Sequence, residues 1–266
     1  MAKINQMYLS KHVHQLYSMR NFYNLDEYSS NTEPTLFVGL YDNDDIDKWN
    51  NHKGFKVLLP CYPEYLGNGV FTNGKIDMSD LNLIVYDETW EWLAISNGIT
   101  NYKKVKLAWA DVNVCKPVPL GDKIYIHFGG HNDWEHKHFS KEFWLDNFGD
   151  EIIYLKEWTD YYDVVENYYS KSYVQIMTSA IPLRGEATAQ GLGLMGRKTF
   201  SPWPCLTPNY ETYKFFAPTE ESMLTALNKK LNIERKKIGT IQTELSQKCY
   251  DYFNFSDDWM YEEYWS

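Results

Sequence analysis

The sequence predicts an α/β protein built from two successive doubly wound units and a helical C-terminus. Short apolar runs alternate with longer amphipathic stretches through most of the chain. The runs are nearly continuous in Val, Ile and Leu, which is typical of parallel strands covered on both faces. A proline-containing stretch near the middle interrupts this rhythm, which then restarts. These three observations favour two parallel sheets with helices between the strands.

The first unit is predicted to span residues 1–112. Its predicted strands are 35–41, 55–60, 81–87 and 104–110. Two amphipathic stretches, DNDDIDKW at 42–49 and ETWEWLAISNG at 88–98, predict helices that separate them, the second ending at Gly98. Strands separated by helices of this length indicate a parallel sheet.

A linker is predicted at 113–122, where two prolines and a glycine occur without a helical period. The second unit, 123–255, follows with predicted strands at 123–130, 151–158, 173–179, 197–202 and 214–218. Helices are predicted at 140–149, 159–171 and 187–196. Thr219 is expected to cap a further helix, followed by one long amphipathic segment at 232–253. The aromatic tail 256–266 is expected to pack back on the fold.

Composition narrows the class of protein. The 266 residues carry a formal net charge of −10, which argues against a protein that coats nucleic acid or an anionic membrane. The four cysteines include no CxxC pair, so zinc ribbons and redox dithiols are unsupported. We find no signal-peptide core and no apolar run long enough for a membrane helix, and therefore expect a cytoplasmic protein without a membrane partner. Aromatic residues make up 17% of the chain, enough to fill a core or to line a surface for sugars or bases.

Two glycines follow the first strand of the second unit, and Gly129, Gly130 and His131 could bring backbone N–H groups close to a phosphate. The polar segment behind them holds several metal-ligand residue types. Its histidines at 136 and 138 point to different faces of either a helix or a strand. We therefore predict no metal site and prefer a solvated loop, with His131 and Lys137 facing a phosphate.

The stretch 181–198 is the most informative one. A loop with Arg184, Gly185 and Glu186 leads into a helix rich in Ala, Thr and Gly that includes Thr188. A helix N-terminus offers unpaired N–H donors and a positive dipole, and Arg184 adds a permanent charge. The segment can hold a diphosphate, or it can be a tightly packed core helix, since glycines inside a helix need a packing reason.

The stretch 169–197, with the phrase LGLMGRK at 192–198, resembles the donor-binding region of GT-B glycosyltransferases. It is most similar to short phage- and virus-encoded members of the group 1 type, and residues 37–54 fit their first lobe loosely. The resemblance implies two Rossmann-like lobes and metal-independent transfer from a nucleotide sugar, with a UDP-sugar favoured and no other cofactor.

The resemblance also implies that His131, Lys137 and Glu186 of the second lobe hold the donor. The other predicted donor-binding residues follow from the phosphate-binding argument above and are Gly129, Gly130, Arg184, Gly185 and Thr188. One position departs from the family pattern, because Gly191 stands where a ribose-binding glutamate is expected.

The first lobe is expected to serve the acceptor. Its candidate catalytic carboxylates lie at predicted strand ends and are Asp42, Glu64 and Asp87. A hydroxymethylated base of viral DNA is one candidate acceptor, near the lysines at 103, 104 and 106, and a polysaccharide or protein is another. The alternative is a non-catalytic protein derived from such enzymes that binds a nucleotide sugar or acts as a scaffold. An oxidoreductase is disfavoured because neither unit has the full dinucleotide fingerprint, a GxGxxG after an early strand with an acidic residue about 20 positions further on.

Overall fold

The computed structural model describes residues 2–13, 16–61, 76–77, 81–86, 88–127, 141–155, 159–177, 186–201, 212–214, 219–253 and 255–266. It is an α/β protein, and every described strand pair is parallel, which confirms the predicted class. The chain divides into two compact units, Met1–Ala108 with Asn254–Ser266, and Trp109–Phe253. The stretch 113–122, predicted as a linker, lies within the second unit, and the last residues belong with the first.

The first unit contains a six-stranded sheet in the order β2-β1-β3-β4-β5-β6. The strands are β1 (Gln6–Leu9), β2 (Asp26–Glu27), β3 (Thr35–Val38), β4 (Lys56–Leu59), β5 (Leu83–Val85) and β6 (Tyr102–Lys104). Its helices are α1 (Tyr17–Phe22), α2 (Asn43–Asn51) and α3 (Glu88–Ser96). The central strands are buried on both faces, as their unbroken apolar runs predict.

Three strands of this sheet differ from the prediction. The sequence did not reveal β1 and β2, because QMYL contains no Val or Ile run and DE contains no apolar residue at all. The strand predicted at 104–110 is wrong in its bounds, since β6 ends at Lys104. Residues 107–110 are nevertheless buried, which explains their apolar character without a strand.

A buried histidine at the end of α2 provides a test of the packing in this unit. His52 is 4% exposed, and its ring contacts those of Phe37 and Tyr28. Burial, followed by the charge of Lys56, lowers the pKa of His52 below its ordinary 6.5. Its imidazole therefore stays neutral in the folded state at pH values where the unfolded chain is protonated.

This difference predicts a loss of stability in mild acid. The contribution of the neutral His52 ring to the free energy of unfolding is complete above pH 6.5. It declines as the pH falls, by at most about 1.4 kcal/mol per pH unit. Urea unfolding of the wild type and of His52→Phe at a neutral and a mildly acidic pH measures it. The variant should lose less stability on acidification. Equal losses in both proteins would contradict the assignment of a neutral, buried ring.

The second unit contains a five-stranded sheet in the order β11-β10-β9-β7-β8. Its strands are β7 (Lys123–His127), β8 (Ile152–Ile153), β9 (Ser172–Met177), β10 (Lys198–Ser201) and β11 (Thr212–Lys214). Its helices are α4 (Lys141–Phe148), α5 (Tyr161–Val164), which continues into a π-helical turn Val165–Tyr169, α6 (Glu186–Leu194), α7 (Glu220–Arg235) and α8 (Thr243–Phe253). Apolar residues of β7, β9, α4 and α7 form a common core.

The C-terminal helices correct one prediction and confirm another. The long amphipathic segment predicted at 232–253 is divided, because α7 ends at Arg235 and α8 begins at Thr243. Gly239 lies in the intervening turn with a φ of +83°, a backbone conformation that favours glycine. Thr219 caps α7 as predicted, and its side chain accepts a hydrogen bond from the backbone N–H of Ser222. The strand predicted at 214–218 overlaps β11 only at Lys214, and 215–218 lie outside the described residues.

The C-terminal tail fastens onto the first unit. The backbone N–H of Ile4 donates to the carbonyl of Met260 at 2.9 Å, and Lys3 pairs with Asp257 at 2.7 Å. Trp259 is 2% exposed and packs edge-on against the ring of Tyr23. The tail therefore completes the core of the unit that contains the N-terminus. None of the described helices combines the length and the hydrophobicity that a membrane-spanning segment needs.

Candidate functional site

Two loops meet at the carboxyl edge of the first sheet. Because β1 and β3 are parallel neighbours with Leu9 paired to Val38, the residues that follow them lie side by side. Residues 10–12 follow β1, and 39–42 follow β3. In open α/β sheets, ligands bind beyond the carboxyl ends of the strands. This edge is therefore where polar side chains of the unit can act together on a ligand.

Asp42 is the predicted catalytic candidate that lies at this edge. Its side chain caps α2 by accepting from the backbone N–H of Asp45 at 3.0 Å. Its other oxygen, Oδ2, lies 2.7 Å from Nζ of Lys11 and 3.4 Å from Nε2 of His12. The hydrogen bond from Lys11, followed by that from the Asp45 backbone, lowers the pKa of Asp42 to about 2. A carboxylate held ionised this firmly accepts protons poorly at neutral pH, but it can orient and charge-stabilise a neighbouring base.

That neighbour is His12, which the sequence analysis did not identify. Its side chain is 40% exposed, and its ring lies edge-on to Tyr41 with 5.5 Å between ring centroids. The hydroxyl of Tyr41 in turn donates to the carbonyl of Cys61 at 2.7 Å, which fixes the ring that supports His12. Within the described residues Nδ1 of His12 has no partner, so the ring can contact a ligand while Nε2 faces Asp42. Recognition of β1 in the sequence would have placed His12 at a strand end and so identified it.

Most of the remaining predicted site residues lie outside the described part of the chain. These are Glu64, Asp87, Gly129, Gly130, His131, Lys137, Arg184 and Gly185. Glu186 opens α6, but its side chain is also outside the described part. The predicted phosphate-binding loop therefore stays a prediction. Its helix is present, since α6 begins directly after it.

Thr188, the remaining predicted donor residue, is 7% exposed. Its hydroxyl oxygen accepts a hydrogen bond from the hydroxyl of Tyr169 at 3.1 Å. Burial raises the pKa of Tyr169, which keeps this donor protonated. The contact fastens the first turn of α6 to the π-helical turn before β9, and it directs the Thr188 hydroxyl toward protein.

Gly191 is buried in the middle of α6 for a packing reason. A Cβ at this position would lie 3.2 Å from a ring carbon of Tyr169 and 3.3 Å from Sγ of Cys115. Contacts this short mean that a side chain here would displace Tyr169 or Cys115 by a few tenths of an ångström. A glutamate here, as the resemblance implies, would require these neighbours to repack, and the glycine serves close packing of α6.

Arg197, in the LGLMGRK phrase, is a structural residue. Its side chain is fully buried, and its guanidinium donates to five backbone carbonyls, those of Ser172, Val118, Met195, Pro119 and Ser170. Burial lowers the pKa of Arg197 to about 10. The side chain thus fastens the segment before β7 to the start of β9, and it is not available to a phosphate.

Two of the three lysines considered for a nucleic-acid contact interact with side chains of the first unit. Lys104 pairs with Glu91 at 2.5 Å, and Lys103 lies over the ring of Tyr264. Among the described residues no group of three or more His, Cys, Asp or Glu side chains has an arrangement that could hold a metal ion. The described chemistry of the first unit is therefore that of a His–Asp pair beside a lysine.

Comparison with known proteins gives a fold relationship. No family model and no curated protein matches the chain. The structure is similar to the crystal structure of TarM, a GT-B-type glycosyltransferase, with a TM-score of 0.52 and 11% sequence identity. The similarity covers 88% of this chain and 55% of the TarM chain, so the protein spans about half the length of TarM. At this identity the likeness shows a glycosyltransferase fold.

Proposed function

We propose that the chain is a glycosyltransferase that moves a sugar from a nucleoside-diphosphate sugar to an acceptor hydroxyl. The observation that carries the proposal is the fold: two units with parallel sheets that together resemble a GT-B-type glycosyltransferase over most of the chain. The LGLMGRK resemblance points to the same class independently of the fold. A UDP-sugar is the first donor to test.

In this proposal the two units have different tasks. The second unit binds the donor diphosphate through the backbone N–H groups at the start of α6 and the side chain of Arg184, which stabilise the charge of the leaving group without a metal. The first unit supplies His12, which accepts the proton of the attacking hydroxyl. Asp42 orients the imidazole and stabilises its charged form.

Calorimetric titration with a panel of UDP- and GDP-sugars, followed by assays of donor hydrolysis, tests the proposal. We expect one nucleotide class to bind and to be hydrolysed slowly in the absence of acceptor. Hydroxymethylated DNA, a polysaccharide and a protein acceptor then form separate arms of a transfer assay. If no donor binds, the proposal fails.

A non-catalytic nucleotide-sugar-binding protein is the second candidate, favoured by the packing at Gly191. Since position 191 is a closely packed glycine, the carboxylate that the resemblance implies for the ribose contact is missing there. The same panel separates the two functions. If a nucleotide sugar binds but is neither hydrolysed nor transferred to any of the three acceptor classes, the binding protein is favoured.

A further inference from the structure

The buried carboxylate of Asp45 connects both loops of the candidate site. Asp45 is 2% exposed, and its Oδ2 accepts from the hydroxyl of Ser10 at 2.8 Å. The same oxygen accepts from the backbone N–H groups of Tyr41 at 2.8 Å and Asp42 at 3.3 Å. The hydroxyl of Ser10 also accepts from the backbone N–H of His12 at 3.4 Å. A single oxygen atom is therefore linked to the backbone of both His12 and Asp42.

The other oxygen of the Asp45 carboxylate accepts a hydrogen bond from a residue of β1. Oδ1 accepts from the hydroxyl of Tyr8 at 2.5 Å, and Tyr8 lies on β1. Burial and the hydrogen bond to Asp45 raise the pKa of Tyr8, so its hydroxyl stays protonated and continues to donate. The carboxylate is thus fixed at both oxygens, which removes its freedom to rotate.

Helix capping alone does not account for these contacts. Asp45 and Asp42 form a capping box at the start of α2, which requires only the bonds that these two residues exchange. The bonds from Tyr8, which lies on β1, and from Ser10, which lies in the loop after β1, contribute nothing to the cap. Together with the bonds from the backbone of Tyr41 and Asp42, they connect one carboxylate to the loop after β1 and to the loop after β3.

We propose that Asp45 is a positioning residue for the His12–Asp42 pair, because it holds the loop after β1 and the loop after β3 at a fixed separation. The inference rests on the proposed function for its catalytic meaning. Asp45 acts through the backbone of both loops and does not itself contact the acceptor. Small displacements of a reacting group can cost about 100-fold in rate.

Asp45→Asn tests this, with Asp47→Asn as the matched control, since Asp47 is an exposed carboxylate on the same helix. The amide keeps the shape of the side chain but has one acceptor oxygen in place of two. We expect kcat/KM for transfer to fall by about 10- to 100-fold in Asp45→Asn and by less than about twofold in the control. In a His12→Ala background the same change should cost less than about twofold, because nothing is left to position. Additive losses would indicate a general structural role and overturn the inference.

A second measurement does not need activity. The ring signals of His12, followed by NMR at one fixed alkaline pH, should move in Asp45→Asn in the same direction as in Asp42→Asn, and stay in place in Asp47→Asn. Unchanged His12 signals in Asp45→Asn overturn the inference, even if no donor is turned over and the proposed function has failed by its own test. If Asp45→Asn does not fold, Ser10→Ala, which removes only the link toward His12, is judged by the same criteria.

Discussion

Replacing His12 with alanine should lower kcat/KM for sugar transfer by about 10²- to 10⁴-fold, the usual contribution of a general base. The reason is geometric and electrostatic. The imidazole projects from the carboxyl edge of the first sheet, with Nε2 at 3.4 Å from an ionised carboxylate oxygen. Without it, the neighbouring carboxylate of Asp42 is a weak proton acceptor at neutral pH, because its pKa is about 2. Transfer assays with the donor identified by titration measure the effect.

Two further variants sharpen this test. Donor affinity should be unchanged in His12→Ala, since the proposal assigns donor binding to the second unit. His52→Phe is the matched control, because His52 belongs to the same unit but lies at the opposite end of α2 from Asp42. It should transfer at the wild-type rate. A His12→Ala enzyme with normal turnover would remove His12 from the mechanism and leave the acceptor side without an assigned base.

Replacing Arg197 with methionine should destabilise the second unit by about 3–5 kcal/mol. Five backbone carbonyls lose a charged donor, and each buried carbonyl left without a partner costs about 1–3 kcal/mol. Methionine carries no charge, so the variant avoids the free energy of burying a guanidinium charge. The lowered pKa of Arg197 indicates this cost. The net loss of stability is therefore smaller than the sum of the lost bonds.

Urea unfolding monitored in the second unit measures this loss. Arg197→Lys should be intermediate, because an ammonium has three donors where the guanidinium has five. Lys229→Met removes a positive charge from an exposed position on α7 and serves as the control, with an expected change of less than about 0.5 kcal/mol. If Arg197→Met were as stable as the control, the carbonyls would have found other partners and the fastening role would be lost.

The sequence predicted what depends on local pattern and missed what depends on tertiary pairing. Strands β3, β4 and β5 were found because each is an unbroken apolar run, and the cap at Thr219 because its chemistry is local. Strand β1 was missed because QMYL becomes a strand through its parallel neighbours on both sides. With β1 unrecognised, His12 could not be placed at a strand end.

In the second unit, the sequence pattern left two interpretations of α6 open. The small residues of α6 were consistent with a phosphate cradle or with close packing, and pattern could not distinguish the two. At Gly191 the structure supports packing, because a Cβ would lie only 3.2 Å from Tyr169 and 3.3 Å from Cys115. Both contacting residues are distant from Gly191 in the sequence, so no local pattern contains this information.

The return of the tail to the first unit determines the order in which the two units can be completed during biosynthesis. The nascent chain emerges from the ribosome N-terminus first, and domains generally fold in that order. Here all residues of the second unit, up to Phe253, are translated before Trp259 can enter the core beside Tyr23. The first unit is consequently completed only after the second unit has been synthesised, and until then the ring of Tyr23 lacks its contact with Trp259.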